Sequence, residues 1–305
     1  MAPNFRAGRH RKLPRMARTV VEAAEALIDQ TIPVLDKGFV RLVDYMGGDE
    51  RIVQAARVSY GSGTKSYRQD RGLIHYLIKN WHTSPFEQVQ LTFHTKMPIF
   101  VARQWVRHRT ARLNEISGRY SVMRDEFYVP EPQHVSLQSE SNKQGRGDTL
   151  PFDEAMEVIA KMEAEQKQAY GDYEALLEKG VARELARANL PISLYTEWYW
   201  QIDLHNLFHF IRLRIDPHAQ YEIRVYGEAL AKCAQAVAPI AYEAFEEHIL
   251  GSITFSRAES HALAQLLQGE GHDLEGRALA TFEEKVARLK ASQATERVDE
   301  LTKPV

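Results

Sequence analysis

The sequence predicts an α+β protein with a central, mainly antiparallel sheet flanked by long helices and a helical second half. Three observations carry this. Two stretches, 39–46 and 89–97, alternate with the period of a half-buried strand, and each runs on into a helical pattern rather than a βαβ unit. Beyond residue 152, apolar residues recur at helical spacing over long spans, punctuated by Gly180, Pro191 and Pro217. No G-x-G-x-x-G follows a strand, so the parallel sheet of a dinucleotide-binding fold is not indicated.

The elements follow in order. Residues 1–18 carry Arg6, Arg9, Arg11, Lys12, Arg15 and Arg18 without one acid and read as a basic arm. A short accessory helix over 19–29 completes a first segment, 1–34, ahead of a main domain at 35–250 and a charged helical tail at 251–305. The strand at 39–46 ends in Gly47-Gly48, and Asp49 is placed to cap a helix running to about 59. A helix over 66–80 puts Leu73, His75, Tyr76 and Leu77 near its buried side. The strand at 89–97 delivers the chain to a helix over 98–109, with Pro98 suited to its first turn. Residues 128–130 read as extended, and the polar run 131–151 as a mobile loop. A helix over 152–179 carries Phe152, Met156, Ile159, Tyr170, Tyr173 and Leu177 and closes at Gly180; a shorter one ends at Pro191. A long aromatic helix is expected over 194–214, another with alanine on its packing side over 219–249, and two charged segments from 256, interrupted by Gly269 and Gly271.

Composition limits the function. The 305 residues are 44% hydrophobic and 26% charged, ordinary for a globular protein. A net charge of −2 gives no general attraction to nucleic acid, so any basic function must be local. One cysteine, Cys233, excludes intrachain disulfides and four-cysteine metal sites and suits a reducing cytoplasm. It sits in an alanine-rich helical pattern, as an inert core thiol would. No run of about 18 apolar residues exists to form a membrane helix.

The most informative stretch is 107–120, RHRTARLNEISGRY, where four arginines stand among a histidine, a glutamate, an asparagine and a serine. Guanidiniums so close repel one another, and their planar forks match phosphate oxygens bidentately, so an anion is expected among them. In the preceding helix the 100° step puts Arg103, Gln104, Arg107 and His108 on one side with Phe100. Ile99, Val101, Ala102, Trp105 and Val106 fill the inward arc. After Asn114 the spacing becomes two, which would set Glu115, Ser117 and Arg119 on one face of an extended strand. A solvated basic helix end with salt bridges would carry the same residues.

Other clusters have plainer readings. The 60–66 run, YGSGTKS, has the wrong spacing for a triphosphate loop. His205 and His209, four apart, could bind zinc with His218 or Glu222, yet Asn206 stands where a hydrolytic site needs glutamate; histidines bonded beneath an aromatic layer explain them as well. Arg214, at a helix end before Pro217, suits a cation at the negative pole of the helix dipole. An RNA-binding protein could also use clustered arginines, but stacking aromatics and overall basicity are missing.

Arg107-His108-Arg109 followed by Ser117 resembles the RHR-x7-S signature of the flavin-dependent thymidylate synthases, and Asn114, Glu115, Arg119 and Tyr120 continue the pattern. The resemblance spans roughly 35–248, through AARVSYG at 55–61, WHTSPFEQ at 81–88, FVARQWVRHR at 100–109, GVARELARANLP at 180–191 and LRIDPHAQYEI at 213–223. Departures are Arg112 and Ser84 for hydroxyl residues, Gln88 for histidine and Asp203 for asparagine.

The resemblance implies methylation of deoxyuridine monophosphate (dUMP) with 5,10-methylenetetrahydrofolate as carbon donor, FAD as the flavin and NADPH as its reductant. It implies that Arg214 meets the pyrimidine and that His82 stands beside flavin and folate. Nucleotide binding would fall to Gln104, Arg107, Glu115, Ile116, Ser117, Gly118, Arg119 and Arg187. Flavin binding would fall to Ser59, Ser84, Arg107, His108, Arg109, Glu115, Asp203, His205 and His209. Ser117 is too weak a nucleophile without an activating base, so its role would be binding. Because the contributing segments must converge, a cytoplasmic homotetramer with active sites shared between subunits is expected, with no metal, nucleic acid or membrane partner.

Overall fold

The structure is a computed structural model that describes residues 19–58, 67–140 and 145–301. The basic arm, Ser59 and the 60–66 run therefore lie outside the described residues. The chain forms two compact units, Met1–Glu246 and Glu247–Val305.

The first unit is built on a five-stranded sheet, antiparallel throughout. Its strands are β1 (Thr31–Val34), β2 (Gly38–Met46), β3 (Gln90–Pro98), β4 (Arg112–Glu115) and β7 (Tyr195–Asp203), in the order β1-β2-β3-β7-β4. The α+β class and antiparallel sheet are as expected. The second half is not all helical, however. The stretch expected to open a long aromatic helix at 194 is β7, the strand between β3 and β4. Its residues alternate: Thr196, Trp198, Trp200 and Ile202 are buried on the core face, while Tyr199 is exposed on the other. Nine consecutive pairs with β3, from Gln90↔Asp203 to Pro98↔Tyr195, hold it in register. Aromatic residues on both faces disguise the period of two, and their β preference prevails once two strands offer their edges.

The helix α4 (Ile99–Trp105) is shorter than the expected 98–109. Pro98 is its N-cap, and the chain leaves the helix through a turn in which the His108 N–H donates to the Trp105 carbonyl at 3.0 Å. Trp105 anchors α4 on the core. Its fully buried ring lies 5.5 Å from Trp198, 5.2 Å from Trp200, 4.9 Å from Phe210 and 5.8 Å from Tyr226. Val106, expected inside, is 39% exposed because the helix has already ended. The strand expected to carry Glu115, Ser117 and Arg119 on one face stops at Glu115. Ser117 opens a turn whose carbonyl accepts from the N–H groups of Tyr120 and Ser121.

Of the expected 19–29 helix only α1 (Glu22–Glu25) forms. In α2 (Asp49–Arg57), Asp49 does not cap its own helix. Its two carboxylate oxygens accept at 2.9 Å from the N–H groups of Ile240 and Ala241, the first turn of α9 (Pro239–Phe245). That α9 exists is itself a correction: the expected 219–249 helix is split at Pro239 into α8 (Tyr221–Val237) and α9, because proline cannot donate the helical hydrogen bond. In α3 (Tyr67–Lys79) the buried side is Ile74, Leu77 and Ile78, and Tyr76 is exposed. The 131–151 run is not an irregular loop. It is an arm in which β5 (Ser136–Gln138) pairs antiparallel with β6 (Arg146–Thr149). Then α5 (Phe152–Glu178) matches its expected span, burying Ile159 and Tyr173 but exposing Phe152 and Met156. A short α6 (Arg183–Ala186) follows, and α7 (Leu204–Arg214) springs directly from the end of β7.

The second unit holds α10 (Arg257–Leu267) and α11 (Gly276–Leu301), the two expected charged segments. A capping box, Ser256 with Glu259, starts α10, and Lys285 of α11 binds both Glu259 oxygens at 2.7 Å.

Candidate active site

The sheet brings distant segments together through its two strand-to-helix junctions. α4 leaves β3 at the end beside Tyr195, and α7 leaves β7 at the end beside Gln90. The helices run back toward one another, so the last residue of α7 meets the turn after α4. Arg214 Nε donates to His108 Nε2 at 3.2 Å, and its Nη2 donates to the Gln104 carbonyl at 3.4 Å. Arg214 is thus more than a cap for its own helix.

Burial and positive charge meet at this junction. Burial, with the charges of Arg214 and His209, pushes His108 down to about 4 from an ordinary 6.5, so it is neutral near pH 7. Since Nε2 accepts from Arg214, the ring proton resides on Nδ1. His209, its ring 5.7 Å from His108, is also pushed down, by burial, His205, Arg212 and Arg214. Burial alone pulls the Arg214 guanidinium downward, though arginine stays charged in proteins. Arg107 and Arg109 are exposed, and among the described residues neither guanidinium has a hydrogen-bond or ion-pair partner.

A second cluster forms beyond β4. Gly118 lies against Arg187: a β-carbon there would sit 2.9 Å from Arg187 Cδ and 2.9 Å from Met123 Sδ. The Ser117 hydroxyl accepts from the Arg119 N–H at 3.3 Å, and Arg119 Nε donates to Glu184 at 3.1 Å. Arg187, 68 positions from Arg119 in sequence (187 − 119), therefore shares one turn with Ser117, Gly118 and Arg119. Glu115 accepts from the Thr196 hydroxyl at 2.6 Å, and the Ile116 N–H donates to the Glu197 carbonyl at 2.9 Å, tying this turn to β7.

The remaining expected residues are placed less uniformly. Asp203 is buried and engaged as the N-cap of α7, accepting from the Asn206 N–H at 2.9 Å and from the Asn206 amide at 3.0 and 2.8 Å. His82 and Ser84 are exposed just past α3. The His82 ring lies edge-on to Tyr76 at 5.7 Å, and among the described residues no hydrogen bond or ring contact joins either to the arginine cluster. No group of three or more His, Cys, Asp or Glu side chains that could hold a metal ion is gathered among the described residues.

Three residues beside Gln104 are given no part in this cluster by the sequence, in which Glu222 is a candidate only as a zinc ligand. Gln220 accepts from the Gln104 amide at 2.6 Å, Glu222 accepts from Gln220 at 2.8 Å, and Arg146 of the arm binds Glu222 at 2.6 and 2.8 Å. Gln220 and Glu222 stood in the 213–223 motif, but Arg146 stood in what read as a structureless loop. Cys233, in α8, is buried and its thiol is pushed up to about 12 by burial, so it offers no nucleophile.

Comparison with known proteins gives the family. Residues 41–240 match the family described as "Thymidylate synthase complementing protein", and residues 253–291 match the "Thymidylate synthase ThyX C-terminal domain". The tail read as lying outside the family pattern thus has a family model of its own. The flavin-dependent thymidylate synthase of Treponema pallidum is 58% identical over 272 residues, covering 89% of each chain. That of Treponema denticola is 58% identical over 260 residues, covering 85% of this chain and 98% of its own. Among solved structures, a UMP/dUMP methylase, PolB from Streptomyces cacaoi, bound with 5-Br dUMP, superimposes with a TM-score of 0.65 at 33% identity, covering 71% of this chain and 97% of its own. With a signature loop that joins Arg214 to His108, a family match across most of its first unit and relatives 58% identical over the aligned residues, this chain belongs to the flavin-dependent thymidylate synthases.

Proposed function

We propose that this protein converts dUMP to dTMP by reductive methylation, taking its carbon from 5,10-methylenetetrahydrofolate and using FAD that NADPH reduces. The observation that carries the reading is the Arg214–His108–Gln104 junction, which holds a guanidinium in place between two segments about 110 residues apart. Two Arg214 nitrogens are committed to the protein, which leaves Nη1 and the unused Nη2 proton to face the uracil. There the guanidinium would stabilise the negative charge that develops on the imide as the ring carbon turns nucleophilic. A preorganised charge of this kind contributes about 10²–10³ in rate. Cys233 is buried and protonated, so pyrimidine activation by this charge, not by a thiolate, fits the chain.

The nucleotide phosphate suits the second cluster, with Ser117, the bare backbone of Gly118, Arg119 and Arg187. Arg119 gives Glu184 its Nε and keeps both terminal nitrogens for a phosphate. Gln104, Arg107, Glu115 and Ile116 would position the base and sugar.

The donor set also fits a flavin dinucleotide. Among the described residues Arg107 and Arg109 are cations without partners, suited to a diphosphate, and neutral His108 adds a donor without another charge. His205, His209, Asp203, Ser59 and Ser84 would complete that site, with His82 between flavin and folate. Bound FAD, once reduced by NADPH, would supply the hydride that turns the transferred one-carbon unit into a methyl group. Ser84, Arg107, Arg109 and His209, all assigned to the flavin, stand exposed on one protomer, and a homotetramer that completes each site from neighbouring copies accounts for this. The single reduced cysteine suits a cytoplasmic setting, and among the described residues no helix is long and apolar enough to cross a membrane.

The test is Arg214→Ala. The purified variant should keep its flavin absorbance and lose methylation by at least about 10². Loss of flavin together with activity would show that Arg214 holds the cofactor instead.

A further inference from the structure

We infer that Arg146, Glu222 and Gln220 form a directional hydrogen-bond relay that fixes the Gln104 amide with its carbonyl oxygen toward the nucleotide, so that the site selects a pyrimidine carrying N3–H. The inference rests on the assignment of Gln104 to the nucleotide made above and adds what sets its polarity.

The relay starts on the hairpin arm. Glu222 is 1% exposed, and four donor contacts converge on its carboxylate. Arg146 Nη2 reaches both oxygens at 2.6 and 2.8 Å, the Tyr128 hydroxyl donates to Oε1 at 3.0 Å, and Gln220 Nε2 donates to Oε2 at 2.8 Å. Burial would raise the carboxyl group, but the Arg146 hydrogen bonds and charge hold it below the ordinary range, so it stays ionised and only accepts. Gln220 must therefore present its NH₂ to Glu222. That turns its carbonyl oxygen toward α4, where Gln104 Nε2 donates to it at 2.6 Å. Gln104 has no choice left either: one Nε2 proton is committed to Gln220, which fixes the orientation of the amide and leaves Oε1 as an acceptor.

Each link has one polarity, set by the cation on the arm. A glutamine amide otherwise presents a donor or an acceptor with equal ease, and reversing this one would leave two carbonyl oxygens facing each other. On its pairing edge uracil offers one donor, N3–H, between two carbonyls. Cytosine offers a lone pair at N3, which a fixed acceptor repels. Arg146 and Gln220 are positioning residues here, since neither needs to touch the nucleotide.

The experiment measures dissociation constants of dUMP and dCMP on the flavin-loaded protein by calorimetry. Gln220→Met breaks the relay at an exposed position and should fold normally. It should cut the preference for dUMP over dCMP about tenfold, the size of one neutral hydrogen bond, mainly by tightening dCMP. Arg146→Ala should act in the same direction, and Arg146→Lys, which keeps a cation for Glu222, should restore most of the preference. An unchanged preference in Gln220→Met, alongside weakened dUMP binding in Gln104→Met, overturns the relay while leaving Gln104 at the nucleotide. Undiminished dUMP binding in Gln104→Met overturns the underlying assignment instead. A general structural disturbance would weaken both nucleotides together and would also refute the relay.

Discussion

Replacing Gly118 with alanine tests whether the turn beyond β4 grips a phosphate. The added methyl would lie 2.9 Å from both Arg187 Cδ and Met123 Sδ, about half an ångström inside ordinary contact. Met123 cannot easily yield, since its N–H and carbonyl are bonded to the hydroxyls of Tyr173 and Tyr170 at 3.1 and 3.0 Å and its side chain is packed in the core. Arg187 is the flexible neighbour and must swing away. Losing one charge-assisted contact costs about 1.5–3 kcal/mol. At about 1.4 kcal/mol per decade, dUMP should bind roughly 10- to 150-fold more weakly. Calorimetric titration of the flavin-loaded variant with dUMP and with deoxyuridine separates the causes. The loss should be confined to dUMP, because the nucleoside has no phosphate to lose. Equal losses for both ligands, or undiminished dUMP affinity, would refute the assignment of Arg187.

Two titrations should oppose each other in mild acid. Folding pushes His108 from 6.5 down to about 4, so in that window the unfolded chain takes up a proton that the native state refuses, and stability falls as pH falls. Burial raises Asp49 from 3.8 to about 6, ahead of the lowering by its two backbone hydrogen bonds, so there the native state binds the extra proton and stability rises as pH falls. In His108→Gln, the loss of stability between pH 7 and pH 5 should shrink by about 1 kcal/mol after discounting for a half-exposed ring, read from urea unfolding at both pH values. An unchanged slope would count against it. Asp49→Ala should cost about 2 kcal/mol at pH 7 by stripping the cap from α9, and a melting temperature equal to wild type would contradict this. Light scattering at micromolar concentration should give four chains per particle, and a monomer would exclude shared active sites.

How much of this was legible in the sequence depended on the kind of signal. Pro98, Gly180 and Asp49 marked element ends because proline, glycine and aspartate each act on the nearest backbone, though Asp49 acts on a helix 191 residues away. The arginine stretch stood out because clustered like charges repel one another, although a solvated helix end could also carry them. Residues 195–203 misled, since Tyr199 and Gln201 on the outer face broke neither pattern cleanly and only pairing with β3 and β4 decided for a strand. Arg146 could not have been found at all. Its meaning lies wholly in a carboxylate 76 positions away, and a polar run offers no periodicity to show that it folds back as a hairpin.

The junction between β7 and α7 has no linker: Asp203 ends one and caps the other. One residue inserted there would turn the whole helix by about 100° and slide it about 1.5 Å, swinging Arg214 off His108. The same holds where Pro98 closes β3 and caps α4. Drift in this enzyme can therefore proceed by exchange of side chains more readily than by gains and losses of length, which must fall away from either weld.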